Sequence, residues 1–126
     1  MFLLDTNTII YFLKGNLPPN GMKAIGTIVD DRPSISVITK IELLGFNAPD
    51  ATERDFTDQF VEGSFIFNLT DAIINQTIEL RKQYKIKIPD AIIAATSMVF
   101  NLTLISHNTY DFNKISNLQC TDPYLL

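Results

Sequence analysis

Short apolar runs alternate with longer segments of helical character along this chain, and that alternation limits its possible folds more than any other feature. Phe2 to Leu4, Ile35 to Ile38, Phe65 to Phe67 and Leu102 to Ile105 read as strands. Between them lie Thr8 to Leu13, a helix beginning near Gly21, another capped by Thr39, one over about Ala51 to Phe60, and an amphipathic helix from Asp71 to Tyr84. In the last of these, Ile73, Ile74, Thr77, Ile78 and Leu80 form the apolar side. Pro89 suits the first turn of a further helix, whose body of Ala91, Ile92, Ala94, Ala95, Met98 and Val99 is apolar almost all round, as in a helix at the centre of a layered domain. Segments of this length join parallel strands by crossing over the sheet, and a parallel sheet is covered on both faces. The expectation is a single α/β domain over residues 1–126, with a central parallel sheet flanked by helices and a short fifth strand near Leu118.

What composition excludes is as useful as what it allows. At 46% hydrophobic and 19% charged residues, the chain can bury a core and is no disordered tail. Cys120 is the only cysteine, so neither an internal disulfide nor a cysteine-based zinc site can form within one chain. His107 is the only histidine, and no Gly-x-Ser-x-Gly elbow presents a serine to it, which removes the usual hydrolase triad. It is assigned a noncatalytic role. Gly15 lacks the following Gly-Lys-Ser/Thr of a phosphate-binding loop. Met1 to Leu4 meets Asp5 at once and lacks the form of a secretory signal, while polar residues interrupt the apolar stretch from Ala91 to Ile105, so the expectation is a soluble cytoplasmic protein with no membrane contact.

A formal net charge of −4 argues against a general nucleic-acid coat protein but not against an enzyme that takes a strand at one spot. Arg81, Lys82, Lys85 and Lys87 form the only dense basic stretch. They serve either as the favourable cationic end of a helix or as contacts to phosphate.

Four acids stand beside apolar runs: Asp5, Glu42, Asp90 and Asp111. In a parallel sheet, ligands collect beyond the carboxyl ends of the strands. Asp5 directly follows the first strand, Asp111 lies in the loop after the fourth, and Glu42 and Asp90 open intervening helices, so all four can converge on one rim. Carboxylates gathered near a core repel one another and lose hydration, a cost that a divalent cation removes. Hard cations such as Mg²⁺ take oxygen ligands, and pairs of them catalyse phosphodiester cleavage. That chemistry leaves a 5′-phosphate and a 3′-hydroxyl. Asp5 and Asp90 are the expected metal ligands, with Glu42 and Asp111 acting directly or through water. Thr6 and Asn7 could cap a helix, orient Asp5 or bind phosphate, and Asn108 could position an ion or water. Each acid also has a plainer use. Asp5 can cap a helix, Asp90 can meet a helix dipole, and Glu42 can close a capping box with Thr39.

The chain resembles the PIN domain, in particular the small VapC-type ribonuclease toxins of toxin–antitoxin pairs. The resemblance rests on Leu3-Leu4-Asp5-Thr6-Asn7, on Ser36-Val37-Ile38-Thr39 through Glu42-Leu43-Leu44-Gly45, on Pro89 through Thr96, and on Leu104 through Phe112, in that order. It implies a three-layer PIN-like domain, with Asp5, Glu42 and Asp90 at the three principal acidic positions and Asp111 at a less regular fourth. It further implies Mg²⁺ dependence with Mn²⁺ able to substitute, endonucleolytic cleavage of RNA, a homodimer, and an antitoxin that covers the acidic groove. Lys40 stands where related chains often carry an acid, and Asn108 where an acid is sometimes supplied.

Two other classes compete. A haloacid-dehalogenase-like phosphatase needs a second Asp two positions after the first, and Asn7 cannot act as its acid; a receiver domain lacks its paired acids and late lysine. A catalytically inactive PIN-like module for protein or RNA contact is the nearer alternative, against which three retained, mutually repelling acids argue.

Overall fold

The computed structural model describes all 126 residues. β1 (Phe2–Leu4) leads to α1 (Thr6–Leu13) and α2 (Pro19–Asp30), then β2 (Ser34–Ser36) to α3 (Val37–Gly45) and α4 (Ala51–Gly63). β3 (Phe65–Phe67) precedes α5 (Asp71–Gln83) and α6 (Ile88–Val99). β4 (Thr103–Ile105), α7 (Thr109–Phe112), β5 (Cys120–Thr121) and a final 3₁₀ turn (Pro123–Leu125) complete the chain.

Every strand pairing is parallel, as expected. β1, β4 and β5 are hydrogen-bonded in that order, with Leu3 opposite Leu104 and Leu104 opposite Cys120. β2 and β3 form a second ladder, Ile35 opposite Ile66, and β2 packs beside β1. The central layer therefore runs β3-β2-β1-β4-β5, with its hydrogen bonding interrupted between β2 and β1. The β1 strand is where the order reverses: the chain winds outward to β2 and β3 on one side, then returns to β4 on the other.

Alternation within β1 builds the layers. Successive side chains of a strand point to opposite faces, and here Leu3 joins one core with Ile73, Leu80, Ile93 and Leu104, while Leu4 joins another with Ile9, Ile25, Ile35 and Ile105. α5 and α6 cover the first face, and α1 and α2 the second. Ala91 through Ser97 is buried throughout, which confirms α6 as the central helix.

Three elements differ from the sequence expectation. Val37 and Ile38 lie in α3, which springs from β2 without a loop, and its cap is Ser36, whose hydroxyl accepts from the Ile38 amide at 3.1 Å. Thr39 is therefore inside the helix and buried, and Glu42 is a mid-helix residue with no capping box to close. On α5, Ile73, Thr77 and Leu80 are buried, but Ile74 and Ile78 are exposed as a second ridge facing away from the core. His107 to Asp111 is more than a turn, because Asn108 caps the short α7 and Phe112 anchors it at 1% exposure.

Two glycines are placed by their surroundings. Gly15, φ +72°, ends α1 in the left-handed region that favours a residue without a side chain. Gly21 lets α2 approach the C-terminal turn so closely that a Cβ there would lie 2.5 Å from the Pro123 carbonyl oxygen.

Candidate acidic site at the sheet rim

Asp5 is the first residue beyond β1, and the parallel pairing that ends there sets its position. Its amide donates to the Ile105 carbonyl at 3.2 Å, continuing the β1–β4 ladder by one bond. Its Oδ1 accepts from the Thr8 amide at 2.9 Å, so the plain helix-cap role is real. The Ser106 hydroxyl donates to Oδ2, and Thr8 ties α1 to β4 by donating its own hydroxyl to the Ile105 carbonyl at 3.2 Å. With 7% of its surface exposed, Asp5 is a buried carboxylate held by both oxygens. Each oxygen keeps acceptor capacity beyond these bonds, so capping leaves Asp5 able to bind a cation.

Burial pushes the Asp5 carboxyl above its ordinary value. The hydrogen bonds from Ser106 and Thr8 oppose that rise, and the negative charge of Glu42 adds to it. Asp90, in the first turn of α6, is also raised, chiefly by partial burial and then by the charges of Asp111, Asp5 and Glu42. Lys87 acts in the opposite sense. The charges of the three other acids thus all bear on Asp90.

The outer acids are positioned by neighbouring side chains. Thr6 donates its hydroxyl to Glu42 Oε1 at 2.6 Å, and its oxygen lies 3.1 Å from that of the buried Thr39. A hydroxyl carries one proton, so Thr39 serves as the donor in that pair. Asn108 donates from Nδ2 to Asp111 Oδ2 at 2.9 Å, and Lys114 lies 3.7 Å from the other oxygen. The Asn108 amide in turn donates to Ser106 Oγ at 3.0 Å, linking the α7 turn back to Asp5. Thr6 and Asn108 are therefore orienting residues, whereas Asn7 is exposed and makes no side-chain bond.

Proximity stops short of a closed cage. No three histidine, cysteine or acidic side chains lie close enough together to enclose a metal ion. The donor set nevertheless suits a hard divalent cation in kind: it is all oxygen, and Asp5 and Asp90 carry charge that burial and mutual repulsion leave uncompensated.

Ser106 carries no role in the sequence reading, and Thr39 carries a different one, as a helix cap. Ser106 follows β4 just as Asp5 follows β1 and Ser36 ends β2, and that repeated polar residue at the close of an apolar run is the signal that could have found it. Thr39 reads as a cap from sequence, and only its burial inside α3 turns its hydroxyl toward Thr6. His107 turns to the C-terminal segment, with Nδ1 2.9 Å from Asp122 and its ring stacked on Tyr124 at 3.9 Å, so it braces the final turn.

Residues 2–118 match the model of the PIN domain. The chain belongs to that family. No curated protein matches it, but solved structures do. A chain of a toxin–antitoxin complex from Klebsiella pneumoniae is 31% identical, with 98% of each chain covered and a TM-score of 0.75. A chain of VapBC-1 from nontypeable Haemophilus influenzae is 26% identical, with 97% of each covered and a TM-score of 0.76. In DNA-bound VapBC from Salmonella typhimurium the identity is 23%, again over 97% of each, with a TM-score of 0.80, a likeness of fold. The PIN-like resemblance read from the sequence, with its VapC-type character, is borne out. No helix is long and apolar enough to cross a membrane.

Proposed function

We propose that this PIN domain is a divalent-metal-dependent endoribonuclease that hydrolyses RNA phosphodiesters and serves as the toxin of a type II toxin–antitoxin pair in the cytoplasm. The observation that carries the proposal is the pair Asp5 and Asp90. Both are raised in proton affinity chiefly by burial, Asp5 further by the charge of Glu42 and Asp90 by those of Asp111, Asp5 and Glu42, at the point where the strand order reverses, an arrangement that costs stability unless a cation is held there.

Asp5 and Asp90 would hold Mg²⁺, or Mn²⁺ in its place, with Glu42 and Asp111 contributing directly or through water. When bound, such an ion supplies an activated water and offsets the charge of the phosphate. The chain's own part is positional. Ser106 and the Thr8 amide fix the two oxygens of Asp5, Thr6 holds Glu42 toward the rim, and Asn108 sets the orientation of Asp111. These bonds reduce the reorganisation required when substrate arrives.

Partners follow from the same geometry. Ile10, Leu13, Leu43, Phe46 and Phe56 line an apolar groove with Glu42 at its side, which suits an antitoxin segment combining an apolar helix face with a basic side chain. The relatives solved as toxin–antitoxin complexes support this. The exposed ridge of Leu69, Ile74 and Ile78 is assigned to a second copy in a homodimer.

The deciding experiment measures cleavage of structured RNAs by purified protein with Mg²⁺, with Mn²⁺ and in EDTA, alongside Asp90→Asn as a control for contaminating nuclease. Metal-dependent cleavage that the variant lacks is the expected result. Folded protein that neither binds Mn²⁺ in a calorimetric titration nor cuts RNA would instead be an inactive interaction module.

A further inference from the structure

The cations of this acidic chain are unevenly placed. Of its ten lysines and arginines, Arg81, Lys85, Lys87 and Lys114 line one open cleft of about 610 Å³, together with Tyr84 and Tyr110. Asp111 forms part of the wall, so the cleft opens from the acidic rim.

A solvated helix end explains only part of this group. Arg81 lies in the last turn of α5, where a cation offsets the helix dipole. Lys85 and Lys114 lie outside both α5 and α6, and Lys87 is the N-cap of α6, at the helix end where a positive charge is disfavoured. Asp90 in the next turn offsets Lys87 in part. Neither helix end accounts for Lys85 or for Lys114, which also lies 3.7 Å from Asp111 on the cleft wall.

The cleft is also built. Arg81 Nη1 donates to the Ile86 carbonyl at 2.5 Å, Lys114 Nζ donates to the Lys85 carbonyl at 2.8 Å, and the Ser116 amide donates to Tyr84 Oη at 3.1 Å. The loop between α5 and α6 is thus pinned from the helix before it and from the segment after α7. Tyr110 stands at 86% exposure with Lys114 Nζ 5.6 Å from its ring centre, leaving most of the aromatic surface in water. An aromatic side chain beside cations is the combination that binds single-stranded nucleic acid, where bases stack and phosphates meet positive charge.

We propose that this cleft is the track of a single-stranded RNA segment leading to the acidic rim, with Lys85, Lys87 and Lys114 taking backbone phosphates and Tyr110 stacking on an unpaired base. The assignment rests on the ribonuclease reading for its direction and adds to it the path of the strand. An acidic protein partner is disfavoured because the cleft opens onto the site, whereas the apolar groove beside Glu42 lies on the α1, α3 and α4 side.

The test is fluorescence anisotropy of a short, labelled, unstructured RNA in EDTA, over a series of salt concentrations, so that binding is read without cleavage. Lys85→Ala/Lys87→Ala should flatten the dependence of log Kd on log salt by about 0.7 for each phosphate no longer neutralised, and arginine at both positions should restore it. Tyr110→Ala should weaken binding roughly five- to 100-fold. Should Lys114→Ala fail to fold, since its amine holds the Lys85 carbonyl, the double lysine variant and Tyr110→Ala still decide. Wild-type protein that binds no RNA, variants with unchanged affinity and salt slope, or polyglutamate that competes as well as RNA at matched ionic strength would each overturn the assignment. Because the readout needs no metal, wild-type protein that binds RNA through these residues yet never cleaves it would overturn the ribonuclease reading alone.

Discussion

The inner and outer halves of the acidic rim are built by different means. Asp5 and Ser106 sit directly on the ends of β1 and β4, buried, and joined by a hydrogen bond across the sheet. Glu42, Asp90 and Asp111 are carried by helices, at least partly open to solvent, and steered by single side-chain bonds or by charge alone. The inner pair is inseparable from the fold, so altering it should cost stability as well as activity. The outer acids can change with little penalty to folding, and their removal should appear almost entirely in the chemistry.

The largest expected effect tests the outer half. Asp90→Asn should lower single-turnover RNA cleavage by about 10²–10³-fold, the range for losing a group that stabilises charge in the transition state, while the melting temperature stays at or above that of the wild type. A wild-type cleavage rate in folded variant protein would break the comparison at its functional end. Next comes the inner half. Ser106→Ala removes the donor to a buried carboxylate oxygen and should cost about 1–3 kcal/mol in urea denaturation. An unchanged urea midpoint would mean that the bond across β1 and β4 has no structural weight.

The pH dependence sharpens the contrast in the metal-free protein. Asp90 has a folded value raised above its ordinary 3.8, so the native state holds that proton more tightly than the unfolded chain does. Its contribution is therefore most favourable below 3.8 and is lost as pH rises through the raised folded value. Measured against Asp90→Asn in EDTA, wild-type stability should improve on acidification from neutral pH toward about 4, and Mg²⁺ at neutral pH should recover part of the same difference. A difference that does not change with pH would remove the repulsion on which the metal proposal depends. The smallest effect is expected from Asn108→Ala, about 0.5–1 kcal/mol, because its bond to Asp111 is only partly shielded from water. A loss as large as that of Ser106→Ala would erase the distinction between the two halves.

All four acids are legible in the sequence, but the Ser106 that holds the inner one and the mid-helix setting of Glu42 are not. Short apolar runs framed by polar residues leave few alternatives for β1 and β3, and for α6 the apolar body and Pro89 agree, so these elements have the expected bounds or nearly so. β2 is shorter than its sequence suggests, since Val37 and Ile38 are β-branched and favour strands, yet burial of Thr39 and Leu43 carries them into α3. That shift moves Glu42 from a helix start to mid-helix and removes its capping explanation. The apolar side of α5 reads as a single face because the pattern identifies hydrophobic residues, not which of them a core has room for; Ile74 and Ile78 stay outside. For the site, strand ends put Asp5 on the rim, but the bond that fixes it comes from a residue 101 positions away, a relation no local pattern encodes.

That separation has a consequence for when the protein can act. β1 is made before its neighbour β4, and the hydroxyl that holds Asp5 follows it by 101 residues. A polypeptide that stops before β4 has the leading acid but no strand to hold it, so the rim is assembled only after β4 and Ser106 have been made.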